Sequence, residues 1–133
     1  MTINEMQELI NKYNYWDARV KQLSCDYFAD EITLTYENEE SEIEYRFVSC
    51  YKSIFNHVKS YDKWQPIKNM SIPQIPYFLQ EVTIGEVLEE GIYFYTCKIN
   101  MFPLYLEVWS KDIKVISNLS SNNLQKTSYF HFQ

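Results

Sequence analysis

Two runs of strict apolar–polar alternation stand out along the chain. Ile32, Leu34 and Tyr36 alternate with Thr33, Thr35 and Glu37, and Ile43, Tyr45 and Phe47 alternate with Glu42, Glu44 and Arg46. Side chains of a strand point to opposite faces with a period of two, so each run predicts a strand with one apolar and one polar face. Asn38-Glu39-Glu40-Ser41 reads as the turn that joins them into a hairpin. Upstream, Ile3, Met6, Leu9, Ile10 and Tyr13 recur at helical spacing, with Thr2 placed to cap and Glu5 three residues later. That spacing predicts a short amphipathic helix. Leu23, Cys25 and Tyr27, alternating with Ser24 and Asp26, predict a first strand over 18–28.

Downstream, Ile54, Phe55, Val58 and Tyr61 predict one or two helical turns over 51–61. Pro66, Pro73 and Pro76 make 64–76 an irregular crossing segment. A strand is expected over 77–88, kinked at Gly85, then a turn at Glu89-Glu90-Gly91, a strand over 92–99 and a turn over 100–103. Leu104, Leu106 and Val108 alternate with Tyr105, Glu107 and Trp109, and Ser110-Lys111-Asp112 reads as a turn into a last strand over 113–117. The polar segment 118–133 reads as a flexible C-terminal tail. With no repeat or linker, 1–133 is expected to be a single α+β domain. Its architecture would be an N-terminal helix plus a mostly antiparallel, meandering sheet of about six to seven strands.

Composition narrows the function classes. The 133 residues suffice for one core, and Tyr 12, Phe 8 and Trp 3 against Gly 2 favour an aromatic-rich sheet over a nucleotide-binding fold. A net charge of −6 has the wrong sign for nucleic acid or an anionic membrane surface, and it favours a basic protein partner. The opening MTINEMQELINKY lacks the basic-then-apolar layout of a secretory signal, and no apolar run has the length of a membrane span. Cys25, Cys50 and Cys97, odd in number and widely spaced, read as buried free thiols of a reducing compartment. A cytoplasmic location follows as the expectation.

Charge is also patterned. Residues 26–44 hold Asp26, Asp30, Glu31, Glu37, Glu39, Glu40, Glu42 and Glu44 and no Lys or Arg. Glu31, Glu37, Glu39, Glu40, Glu42 and Glu44 are therefore the candidate protein-docking residues. The competing explanation is solvation, or protection of an edge strand by charge. Like charges facing each other across two strands destabilise the pair, so Glu37 and Glu42 beside the turn suggest an external cation. Residues 46–68 carry Arg46, Lys52, Lys59, Lys63 and Lys68 against Asp62, and either neutralise the hairpin internally or form the basic end of a dipolar surface. Tyr105 and Trp109, on the polar side of their strand, are further candidate anchors; the alternative is a sheet covered on both sides, with both residues in its core.

Catalytic constellations are weak. Ser53 and His57, with Asp62 beyond, lack a nucleophile-elbow motif, and Cys50 with His57 has no better support. His57 and His131 are far apart, and the Glu-rich turn lacks the Asp/Asn alternation and Gly of a calcium loop. Carboxylate pairs such as Asp30 with Glu81 carry no spacing constraint. No catalytic residue, cofactor or metal is expected.

The run YWDARVKQLSCDYFADEITLTYE, with Trp16, Asp17 and Val20 opening into a strand, a hairpin and a Pro-bearing crossing segment, resembles small immunity proteins of bacterial polymorphic-toxin and contact-dependent inhibition systems. The resemblance spans 15–117 in general layout. It implies an acidic, cytoplasmic α+β protein that binds and neutralises a cognate toxin, and it transfers no site residue; the acidic surface makes a basic toxin such as a nuclease the expected partner. The alternatives are a structural domain forming a homodimer through a sheet edge or its aromatics, and a small-molecule-binding module.

Overall fold

The computed structural model describes residues 1–39, 41–58 and 65–119. Helix α1 (Ile3–Lys12) is followed by β1 (Val20–Asp26), β2 (Glu31–Glu37), β3 (Ser41–His57), β4 (Glu81–Glu89), β5 (Ile92–Met101) and β6 (Leu104–Leu119). The strands form one antiparallel sheet in the order β1-β2-β3-β6-β5-β4. Each half, β1-β2-β3 and β4-β5-β6, is a three-stranded meander, and the long β3·β6 pair joins them. The α+β class and the antiparallel sheet are as expected, with six strands.

The helix begins where the sequence places it. The Thr2 side chain accepts from Glu5 N–H while the Glu5 carboxylate accepts from Thr2 N–H, a reciprocal capping box. Met6 and Ile10 are buried against the sheet. On the same helix, Gln7 reaches the edge of β4, where its Oε1 accepts from Ile84 N–H at 2.8 Å and its Nε2 donates to the Val82 carbonyl at 3.0 Å. One amide side chain thereby occupies a donor and an acceptor that a further strand would have used.

Ile32, Leu34 and Tyr36 of β2 and Ile43, Tyr45 and Phe47 of β3 all turn inward. They share one core with Val82 and Ile84 of β4, Cys97 and Ile99 of β5, and Leu106, Val108 and Ile113 of β6. The Tyr36 and Tyr45 phenols lie deepest among the tyrosines of this core. The Tyr36 and Tyr45 rings meet edge to face at 5.5 Å; Tyr45 hydroxyl donates to Tyr36 hydroxyl at 3.4 Å, which donates to the Tyr13 carbonyl at 3.0 Å. The relay lets both rings be buried without stranding a hydroxyl.

Three expectations are corrected. Residues 51–57 continue β3 instead of forming helical turns, and Tyr61 lies outside the described residues. Tyr51 is the extra residue of a bulge, since Cys50 faces Ser110 and Lys52 faces Trp109. The bulge breaks the alternation and imitates a helical period. Ser110-Lys111-Asp112 does not end a strand: β6 runs through it, and Ser110 is buried with its hydroxyl donating to the Asp112 carbonyl at 3.0 Å. Buried positions on β6 change from even (Leu106, Val108, Ser110) to odd (Ile113) across this kink. Finally, Cys25 is exposed, because β1 is the outermost strand and its far end runs past the core; Cys50 is half-buried and only Cys97 is fully buried. The expected tail loses its first two residues to β6, and 120–133 lie outside the described residues.

Two outcomes follow. Gln7→Ala leaves an N–H and a carbonyl of β4 unbonded and should cost about 1–3 kcal/mol, read as a lower urea midpoint with an unchanged m-value. The second concerns alkaline pH. Burial pushes Tyr36 up to about 12 and raises Tyr45 further, whereas both ionise near 10 in the unfolded chain. Above pH 10 the unfolded state therefore binds fewer protons than the folded one. Stability should fall as pH rises from about 10 to 12, by up to about 2.7 kcal/mol per pH unit for the pair. Urea titrations at stepped pH should show a shallower decline in the Tyr36→Phe/Tyr45→Phe double variant.

Candidate protein-docking surface

The acidic hairpin is β2 and β3, and both are interior strands: β2 lies between β1 and β3, and β3 between β2 and β6. Protection of a sheet edge therefore does not account for its carboxylates. Glu31 and Glu37 of β2 and Glu42 and Glu44 of β3 occupy positions opposite the buried ones, so they project from the outer face of the sheet, joined by Asp26 of β1 beside Glu31. The turn is held by Asn38, whose Oδ1 accepts from Ser41 N–H at 2.9 Å and whose N–H donates to the Ser41 carbonyl at 3.0 Å. Glu39 is exposed on it, and Glu40 lies outside the described residues.

Register brings Glu37 directly opposite Glu42. The expected repulsion is answered from inside the molecule, not by an external cation. At the β1 irregularity between Val20 and Gln22, Lys21 extends its Nζ to 2.8 Å from Glu42 Oε2 and 3.5 Å from Glu37 Oε2. Desolvation works to lower the Lys21 pKa, but the hydrogen bond and charge of Glu42, aided by Glu37, outweigh it and hold the ammonium form above its ordinary range. Glu44 pairs with Arg46 at 2.5 Å on the same strand face. Of the basic run 46–68, Arg46 thus neutralises part of the hairpin, while Lys21 is the cation that sequence inspection missed. Its signal was hidden because 16 to 21 residues separate it from its partners, and only strand register unites them.

Tyr105 and Trp109 are not beside these acids. They lie on the outer face of β6 where it pairs with β5 and the C-terminal half of β3, opposite Asn56 and Lys52 respectively. The alternative of a covered core does not hold for Tyr105, which is 45% exposed and packs edge-on against exposed Phe102 at 6.5 Å. Trp109 is half-buried among neighbours of its own face. Tyr51 stacks on it at 6.3 Å and meets Phe94 at 4.7 Å, Lys52 Nζ sits 4.5 Å from its ring centre, and its Nε1 donates to Glu107 at 2.6 Å. A shallow groove of 480 Å³ runs beside it, lined by Ile54, Asn56, Lys98, Tyr105 and Glu107.

Past the β3 bulge lies a strained turn. Tyr27, Phe28 and Ala29 all adopt left-handed backbone, at φ 52°, 57° and 68°.

 

Left-handed backbone costs a non-glycine residue roughly 1–2 kcal/mol, and bulky side chains adopt it rarely. The turn is held by Asp30 N–H donating to the Tyr27 carbonyl at 3.1 Å, and it is tied to β3 by Cys50 N–H donating to the Asp30 carbonyl at 3.0 Å. It displays Tyr27, 73% exposed, and a fully exposed Phe28 over a 280 Å³ hollow shared with Tyr51, Lys52 and Ser53.

The catalytic alternatives gain no geometry. Ser53 and His57 lie on a strand, His57 Nε2 is 2.6 Å from the Tyr77 hydroxyl, and Asp62 lies outside the described residues. Among the described residues no three His, Cys, Asp or Glu side chains cluster as metal ligands, and no helix is long and apolar enough to cross a membrane.

The arrangement is one of surfaces: an acidic, partly neutralised face on β1–β3, an aromatic patch on β5–β6, and a strained aromatic turn between β1 and β2. No curated protein sequence matches the chain. A family model described as Immunity protein PIM7 matches residues 2–117, from the capped helix through nearly all of β6. The chain therefore belongs to the immunity protein family PIM7.

Proposed function

We propose that this chain is a non-enzymatic, cytoplasmic immunity protein that neutralises a cognate toxin by binding it, and that the toxin surface it meets is basic, as in a nuclease. Family membership supplies the class of function. The observation that carries the electrostatic part is the imbalance on the outer face of β1–β3. Asp26, Glu31, Glu37, Glu42 and Glu44 are arrayed there against Lys21 and Arg46, with Glu39 exposed on the adjoining turn. An ordered anionic face steers a cationic partner over long range and competes with phosphates for a basic groove.

Internal pairing assigns different tasks to the acids. Glu37, Glu42 and Glu44 hold Lys21 and Arg46 and keep the face in register, while Glu31 and Glu39 form no ion pair among the described residues and are the freer sources of attraction. Glu40 belongs to the same proposed set by sequence. Tyr105 and Trp109 serve as short-range anchors on the separate patch, where aromatic area binds without long flexible side chains to immobilise.

Glu31→Lys/Glu39→Lys is expected to slow association with the cognate toxin domain about fivefold or more at low salt, and to flatten its salt dependence, with the melting temperature unchanged. Stopped-flow association at two ionic strengths measures this. An unaltered rate would remove the acidic face from the reading. Glu37→Lys/Glu42→Lys is expected to destabilise the fold by roughly 1–3 kcal/mol, because it leaves Lys21 among like charges, and denaturant titration checks that outcome separately.

A further inference from the structure

Among the described residues the six strands leave four stretches of edge, and three of them are guarded. On β4, the Gln7 amide takes up Ile84 N–H and the Val82 carbonyl, and Glu86 and Glu89 follow. On β1, Val20 N–H donates to the Tyr77 carbonyl at 2.8 Å and Arg19 bridges Phe78, with Gln22 and Asp26 beyond. The C-terminal half of β6 carries Asp112, Lys114, Ser117 and Asn118. Charge and coverage of this kind are how sheets prevent unwanted strand pairing.

The C-terminal half of β3 differs. Its first half lies between β2 and β6, but after Phe47 the register with β2 ends, and among the described residues only β6 pairs with the rest. The strained turn closes the edge as far as Cys50, through the Asp30 carbonyl. Beyond it, Val58 N–H donates toward β6, to the Pro103 carbonyl, so by alternation the N–H and carbonyl groups of Ser53 and Phe55 point away from β6. Exposed apolar side chains border this edge, Tyr51 43%, Ile54 41% and Phe55 42%, interspersed with Ser53 and Asn56. The only charge along 50–56 is Lys52, and it is drawn over the Trp109 ring.

We propose that this edge is a strand-docking site, and that its occupant is an extended segment of the cognate toxin, which adds as a seventh strand beside Ser53–Asn56. The inference rests on the immunity reading above. Charge selects the occupant: a second copy would bring together two chains of net charge −6, whereas a basic toxin is attracted to the same molecule. Main-chain hydrogen bonds to Ser53 and Phe55 would supply affinity, and the exposed Tyr27 and Phe28 turn would border one end of the incoming strand.

Hydrogen exchange of the intact chain, with and without the cognate toxin domain, tests the site residue by residue. The Ser53 and Phe55 amides should exchange fast in the free chain and about tenfold or more slower in the complex. Phe55→Lys, which places a guard charge on the edge, should weaken binding about tenfold or more at an unchanged melting temperature. Ile54→Lys repeats the test if Phe55→Lys unfolds. Toxin binding without protection of these amides would overturn this proposal while leaving the immunity reading intact. Slow exchange already in the free chain would also overturn it, as would protection that rises with chain concentration in the absence of toxin. Failure of the wild-type chain to bind the toxin would overturn both readings.

Discussion

The antiparallel pairing of β3 with β6 is the constraint on which the rest of the molecule depends. Three strands with one apolar face are about the least that can stand alone in water, and this chain joins two such meanders. The ladder from Ser41 opposite Leu119 to His57 opposite Leu104 joins them, so that Ile43, Tyr45 and Phe47 from one meander and Leu106 and Val108 from the other contribute to a single core. Because β3 and β6 are antiparallel, the half of β3 that serves the first meander lies beside the half of β6 that does not pair with β5. The remaining half of β3 lies beside the half of β6 that does. Each long strand therefore has one half with a single partner among the described residues. The pairing that unifies the core also creates the edge on which docking is proposed.

This construction explains which parts of the fold were legible in the sequence. Residues 32–47 alternate cleanly because both strands are regular and covered on one face only, and Thr2 with Glu5 marks the helix start through local hydrogen bonds. The errors fall where the two halves meet. Ser49 at φ 52° and the bulge at Tyr51 shift the alternation, so Ile54, Phe55 and Val58 imitate a helix. Ser110, polar by type, reads as part of a turn, yet it is buried and bonded to Asp112 within a continuous strand. Local pattern rules assume an unbroken period, and a bulge that aligns two sheet halves breaks it.

The candidate surfaces show the same division. That residues 26–44 form an acidic, ordered segment was legible, since charge and alternation are local properties. How much of that charge is available to a partner was not. Lys21 reaches Glu37 and Glu42 only through the β1·β2·β3 register, and its own strand shows no excess of basic residues to announce it. Likewise Tyr51, Phe94 and Trp109 come from three strands, and nothing in the spacing of these residues indicates that they share one face. The layout resemblance to immunity proteins agrees with the family match over residues 2–117, whereas a docking site depends on pairwise register that no layout conveys.

On the reading proposed above, the acidic face and the open edge of β3 act at different ranges. A carboxylate array is felt by a basic partner across about a Debye length, roughly 8 Å at physiological salt, but it selects poorly among basic proteins. A strand edge acts only at hydrogen-bond distance, and its main-chain groups accept many sequences, so discrimination falls to the side chains that border it. Here those are Ile54 and Phe55 on the edge itself, Tyr105 and Trp109 on the neighbouring strand, and Tyr27 and Phe28 on a turn held in a strained backbone. Long-range attraction thus accelerates encounter, and the aromatic border decides which encounters persist. The residues that set toxin identity on this reading are the aromatic ones, although the acids are what the sequence displays most openly.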